Sequence, residues 1–249
     1  MEKIYKNFKI IIKDDYDGAS AAAADILADF VTANPSGVLG LATGSTPEGA
    51  YAKLIEAKVD FSRISTFNLD EYHPIEKTNS QSYDYFMRQK LFNHINIAPA
   101  NINLPNGEAT DPIAECAAYE AKIAASGGIG LQLLGIGLNG HIGFNEPAAN
   151  FPKTTHHIAL DASTINANAR FFDNANQVPK HALTMGIGTI FSAKQILIVV
   201  TGAAKADIIA QAVLGNITPQ LPASILQLHP GVTLVMDAPA TSKIMPQLA

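Results

Sequence analysis

The sequence contains one cysteine, Cys116, and no tryptophan, and only 16% of its residues are charged. A lone thiol can neither close an internal disulfide nor supply a thiolate metal cluster, so a reducing compartment, the cytoplasm, is expected, with Cys116 as a buried packing residue. Cations are scarce as well: 17 Lys and Arg against 22 Asp and Glu give a formal net charge of -5. Nucleic-acid and anionic-membrane surfaces need clustered cations, so neither partner is expected, although a few oriented donors can still hold a small anion. Long apolar runs are missing too. The alanine-rich stretch from Ala19 to Val31 is broken by Asp25 and Asp29 and reads as an amphipathic helix, not a membrane span. Phe8-Lys9-Ile10-Ile11-Ile12 is too short for a signal h-region, no small-residue cleavage site follows it, and it reads as a first strand. No repeat, low-complexity tract or Gly/Ser linker divides the chain.

What is present is apolar bulk. With 47% hydrophobic residues among 249, one domain can bury roughly three quarters of its unfolded surface, enough for a sheet covered by helices. Apolar runs rich in β-branched residues alternate with helical patterns, which is the order of an α/β protein. Strands are predicted near 8–12, 37–42, 64–69, 130–136, 195–201 and 232–237, and helices near 18–33, 47–58, 80–94, 112–126, 203–214 and 222–228. Thr46-Pro47 and Asp111-Pro112 each place a capping side chain before an N1 proline. The expected fold class is a single-domain α/β protein with an open, mainly parallel, Rossmann-like sheet and helices on both faces. The stretch 150–180 is rich in Asn, Thr, His and Asp and includes Arg170, so it is read as a surface connection or, preferably, an active-site lid.

Ligands of parallel sheets collect beyond the carboxyl ends of the strands, so the residues just past each apolar run carry the information. In Gly40-Leu41-Ala42-Thr43-Gly44-Ser45-Thr46-Pro47 a glycine turn enters a helix. The hydroxyls of Thr43, Ser45 and Thr46 beside free N–H groups suit a phosphate, and a plain capped turn would look the same; the lysine of a nucleotide-binding P-loop is absent. In Thr66-Phe67-Asn68-Leu69-Asp70-Glu71-Tyr72 a strand ends in adjacent carboxylates. Asp70, walled by apolar neighbours, could be a desolvated proton acceptor, or it could cap a turn. The third segment, Leu134 to Pro147, reads LGIGLNGHIGFNEP. Its glycines let backbone approach a ligand, and His141 and Glu146 can pair, the carboxylate supporting the imidazolium of a general acid-base near neutral pH.

GIGLNGHIGFNEP resembles the signature loop of the glucosamine-6-phosphate deaminase family. The resemblance extends to LATGSTPEGAY, TFNLDEYHPI, NSQSYDYFM, NARFFDNANQVPKHALTMGIGTI and SILQLHPGVTLVMD, covering nearly the whole chain in order. It implies conversion of glucosamine 6-phosphate and water to fructose 6-phosphate and ammonia, with no metal and no cofactor. His141, assisted by Glu146, would open the sugar ring; Asp70 would move a proton from C2 to C1 through an enolamine. Phosphate binding would fall to the Gly44-Ser45-Thr46 turn, Arg170 and Lys205.

Where some members carry an acid two residues before the histidine, this chain has Asn139, which can orient a neighbour but adds no charge. Glu146 should then be the main electrostatic partner of His141. The related 6-phosphogluconolactonases share a GH-containing loop, and sugar-phosphate sensors of the same fold bind without turnover, so both are alternatives. Longer, hexameric members are activated by N-acetylglucosamine 6-phosphate bound on basic residues after the catalytic loop. The aligned positions here are His156 and Ile158, a poor phosphate site even with Lys153 near, and the chain ends soon after its last strand. The expectation is hyperbolic kinetics without that activation, and a monomer or small homo-oligomer.

Overall fold

The computed structural model describes residues 1–161, 165, 169, 172 and 177–247. Its main sheet contains β1 (Glu2–Tyr5), β2 (Phe8–Lys13), β3 (Val38–Leu41), β4 (Ser65–Asn68), β6 (Ile102–Asn103), β7 (Leu131–Leu134), β10 (Gln195–Val200) and β11 (Val232–Asp237). They lie in the order β1-β2-β11-β10-β7-β3-β4-β6, every pairing parallel except that of the edge strand β1 with β2. The central strands read as near-continuous apolar runs, such as Ile196 to Val200, because helices cover a parallel sheet on both faces.

The helices that matter for the site are α1 (Tyr16–Ala33), α2 (Ser45–Glu56), α3 (Tyr83–Lys90), α4 (Pro112–Ala125), α5 (Ile187–Phe191) and α6 (Ala206–Leu214). From β3 the chain moves outward to β4 and β6, whereas from β7 it moves the other way to β10 and β11. Right-handed crossovers in opposite directions place α2 and α6 on opposite faces. The direction reverses between the adjacent strands β3 and β7, and a crevice opens there at their carboxyl ends.

A second sheet was not foreseen. β5 (Asp70–His73) pairs antiparallel with β9 (His181–Thr184), which pairs antiparallel with β8 (His156–Ala159). The 64–69 strand therefore ends at Asn68, and the chain leaves the main sheet through Leu69, whose N–H still donates to Leu41 O (3.0 Å) while its carbonyl accepts from Met185 N (2.7 Å).

Other expectations need correction. Helix α2 begins at Ser45, with Gly44 at φ 101 as its N-cap and no side-chain cap, so Thr46 does not cap it. The cause is the left-handed Gly44 turn, which starts the helix earlier. Asp111 does cap α4, accepting from Ile113 N and Ala114 N at 3.0 Å. The 222–228 segment is a 3-10 helix, and the 80–94 and 203–214 predictions each divide into an α-helix and a 3-10 turn. Cys116 is buried and free. Within the stretch expected as a lid, His156–Ala159 is a strand; Leu160 N donates to Lys180 O (2.8 Å), bringing the two ends of the remainder together.

Candidate active site

The loop after β7 folds tightly on itself. Gly137 N donates to His141 O (2.9 Å) and Gly140 N to Gly137 O (3.1 Å), which lays the His141 ring across Gly137. A Cβ on Gly137 would sit 2.2 Å from His141 Cε1, so any side chain there would displace the imidazole. Asn139 ties the loop to the acid: its Oδ1 accepts from His141 N (3.2 Å), and its Nδ2 donates to Glu146 Oε2. Glu146 is buried, and its Oε2 lies 3.3 Å from His141 Nδ1. That is ion-pair distance without hydrogen-bond alignment, a looseness that active sites often lose only when substrate binds. The end of the loop is fixed by Asn145, whose Nδ2 donates to Ile142 O (2.9 Å) and Met185 O (2.8 Å).

Asp70 reaches this loop because it is the first residue of the second sheet. Its Cα pairs with that of Thr184, and Thr184 Oγ1 accepts from Phe144 N (3.0 Å), stitching β9 to the loop. Gly143, at φ 57, lies between: a Cβ there would be 2.9 Å from Thr184 Oγ1 and 3.5 Å from Asp70 Oδ2. A side chain at that position would be strained and would block access to the carboxyl. Burial, with the neighbouring Glu71 charge adding to it, pushes the Asp70 carboxyl up to about 8. Tyr72, Tyr83 and Phe144 form an aromatic wall beside it, with ring centroids 4.9 to 6.0 Å apart.

On the β3 side of the crevice stand Thr43, Gly44, Ser45 and Thr46. The N-terminus of α2 has no side-chain cap, which leaves first-turn N–H groups for an anion. Tyr16 braces this turn, its hydroxyl donating to Ser45 O and accepting from Gly49 N, both at 2.9 Å. Lys205, after β10, donates from Nζ to Ile136 O (2.6 Å) at the end of β7, and burial lowers its pKa. Arg170 lies outside the described residues. The structure thus brings Asp70 to the loop of Asn139, His141 and Glu146, with the α2 turn and Lys205 at neighbouring strand ends. A groove of about 560 Å³ lined by Pro74, Ile75, Phe172 and Pro179 contains none of these residues and lies toward the far end of β5.

Comparison with known proteins fits this geometry. The family described as glucosamine-6-phosphate isomerases/6-phosphogluconolactonase matches residues 14–235. A glucosamine-6-phosphate deaminase of Clostridioides difficile (strain 630) is 51% identical over 243 residues, spanning 96% of this chain and 98% of the relative. The chain belongs to the glucosamine-6-phosphate isomerase/6-phosphogluconolactonase family. A solved structure of a monomeric glucosamine-6-phosphate deaminase superposes with a TM-score of 0.92 at 44% identity, covering 94% of this chain and 99% of that one. The 6-phosphogluconolactonase of Trypanosoma cruzi, at 18% identity and a TM-score of 0.77 over 97% of this chain and 98% of its own, shares the fold alone.

Three contributors to this family site escaped the sequence reading. Thr184 ties the small sheet to the loop after β7; its only signal was its place in a family-like stretch. Asp237 receives Gly202 N on both carboxylate oxygens (3.0 and 2.8 Å), shaping the turn before Lys205, and a strand-end acid was the available clue. Glu71 was noticed only as Asp70's neighbour, yet its carboxylate accepts three backbone N–H groups.

Proposed function

We propose that this chain is a glucosamine-6-phosphate deaminase, converting glucosamine 6-phosphate and water to fructose 6-phosphate and ammonia. The observation that supports the reading is the approach of a buried carboxyl, Asp70, to Gly143 of the loop that carries an imidazole, His141, backed by Glu146. His141 passes the anomeric hydroxyl proton to the ring oxygen as the C1–O5 bond breaks, and Glu146 stabilises the transient imidazolium. Asn139 holds Glu146 and the His141 backbone in one frame.

Asp70 then takes the proton from C2 of the open-chain aldehyde and returns it to C1, while the C2 ammonium gives up one proton and O1 gains one, so that C1 becomes an alcohol and C2 an iminium. Water adds there and ammonia departs, which yields the ketone. With its carboxyl pushed up to about 8 by burial, Asp70 needs a nearby positive charge to act as a base at neutral pH. The protonated amine of an amino sugar supplies that charge; a lactone does not, and this favours the deaminase over the lactonase.

The phosphate is held by the first-turn N–H groups of α2, with Thr43, Gly44, Ser45 and Thr46 around it, and by Lys205. To these the resemblance adds Arg170, in the stretch read as a lid within 150–180. No described helix is long and apolar enough to cross a membrane. A cytoplasmic location, and a monomer or small oligomer, complete the proposal. Incubation with glucosamine 6-phosphate should release ammonium and fructose 6-phosphate in equal amounts. Hydrolysis of 6-phosphogluconolactone in place of ammonia release would replace this reading with the lactonase, and binding of either compound without turnover would make the chain a sensor.

A further inference from the structure

Asp70 and Glu71 are consecutive buried carboxylic acids with opposite surroundings. Glu71 Oε1 accepts from Tyr72 N (2.9 Å) and Tyr83 N (2.8 Å), and Oε2 from Asp84 N (2.9 Å). Tyr83 and Asp84 are the first two residues of α3, so two of these donors belong to a helix N-terminus, where a negative charge is favoured. A carboxylate can accept all three; a carboxylic acid would have to give up acceptor capacity to carry its proton. Ser82 caps the same helix separately, accepting from Tyr85 N (3.0 Å). Among the described residues no hydrogen-bond donor is seen on the Asp70 carboxyl, whose environment is the aromatic wall and the glycine of the catalytic loop.

We propose that Glu71 is a positioning residue for the proton transfer at Asp70: locked to the first turn of α3, it anchors the start of β5 and, once ionised, holds a negative charge beside the Asp70 carboxyl. The inference rests on the reading of Asp70 as the base. With the substrate ammonium holding Asp70 ionised, a like charge on the adjacent residue strengthens its pull on the C2 proton and so makes it the stronger base. Burial and Glu71, in that order, both act on Asp70 in this direction. The Glu71 carboxyl is itself pushed up by burial to about 7, with its three amide bonds pulling the other way, so the effect is complete above neutral pH.

Other ionisable groups lie around the pair. From α3 come Tyr83 and Asp84, the latter paired with Arg88 at 2.5 Å; from α4 comes Tyr119. His73, His181 and His157 share the Glu71 face of the small sheet, by the alternation of its paired residues. Glu108 follows Gly107, where a Cβ would lie 3.0 Å from Glu71 Cγ. From the catalytic loop come His141 and Glu146. Of all these, Glu71 alone is a carboxylate on a residue adjoining Asp70.

The test is the pH dependence of turnover in Glu71→Gln, with Ser82→Ala as the control that weakens the start of α3 without touching the charge. Glu71→Gln should lower kcat about 3- to 10-fold with little change in KM, and move the limb governed by Asp70 to lower pH by about half to one unit. Ser82→Ala should leave that limb in place. A loss of kcat in Glu71→Gln with an unmoved limb would overturn the proposal, reducing Glu71 to a helix anchor. If Glu71→Gln does not fold, carbon-13 carboxyl NMR of aspartate-labelled wild type substitutes. The Asp70 signal, assigned by its loss in Asp70→Asn, should titrate in two steps as Glu71 ionises beside it, and a single step would count against the proposal. Near-wild-type activity of Asp70→Asn would remove the base assignment itself, an outcome distinct from an inactive Asp70→Asn with an unmoved Glu71→Gln limb.

Discussion

Replacing Asp70 by asparagine should yield a protein that is more stable and almost inactive. The folded chain keeps the Asp70 proton to about pH 8, whereas an unfolded aspartate loses it near its ordinary value of 3.8. Between those limits the folded state binds a proton that the unfolded state has released, so stability falls as the pH rises through that window. The stabilising contribution is fully present below pH 4 and is lost by about pH 8. At roughly 1.36 kcal/mol per pH unit, the ionised side chain costs the folded enzyme at most about 6 kcal/mol at the alkaline end. Asparagine keeps the shape and removes the charge, so it removes that cost. Turnover loses the proton acceptor and should fall by about 10²- to 10⁴-fold. Urea denaturation of both proteins at pH 5 and pH 9, beside steady-state rates, measures the two effects together. Glu71 titrates in both proteins and largely cancels from their difference. If Asp70→Asn is less stable than wild type at pH 9, or if the two proteins lose equal stability between pH 5 and pH 9, the buried-charge argument is refuted. A variant that still turns over near the wild-type rate refutes the catalytic one.

Lys205→Met should raise KM for the sugar phosphate roughly 10- to 150-fold with kcat nearly unchanged, because it removes a charge-assisted contact worth about 1.5–3 kcal/mol; unphosphorylated glucosamine should not distinguish the variant from wild type. Thr184→Val preserves volume but leaves the buried Phe144 N–H without its acceptor, so it should cost about 1–3 kcal/mol in chemical denaturation and lower kcat more than it changes KM. Initial rates against substrate should be hyperbolic with or without N-acetylglucosamine 6-phosphate, since His156 and Ile158 give that phosphate no charge partner; sigmoidal curves relieved by the effector, from a hexamer in light scattering, would contradict this.

The chain itself determined a good deal. The alternation of β-branched runs with amphipathic stretches was enough for the parallel sheet, and the glycine-rich segment from Leu134 to Pro147 marked the loop that holds His141. These features are local: a strand period, a helix period and the turn chemistry of glycine can each be read within about ten residues. The small antiparallel sheet was hidden because its strands are four residues long and its pairing joins Asp70 to Thr184, more than a hundred positions away. Polar residues such as His73, His156 and His181 supply most of its sequence, so neither composition nor alternation announces it. For the same reason the start of α2 was misplaced: a left-handed Gly44 moved it to Ser45, and φ is a backbone property that Thr46-Pro47 could not reveal. Adjacent carboxylates at 70 and 71 were visible as a pair, but their division of labour was not. Three amides, two of them from a helix that begins twelve residues later, hold one acid, while burial beside Gly143 raises the pKa of the other. Charge and residue type are written in the chain, whereas desolvation and hydrogen-bond partners exist only once distant segments have packed together.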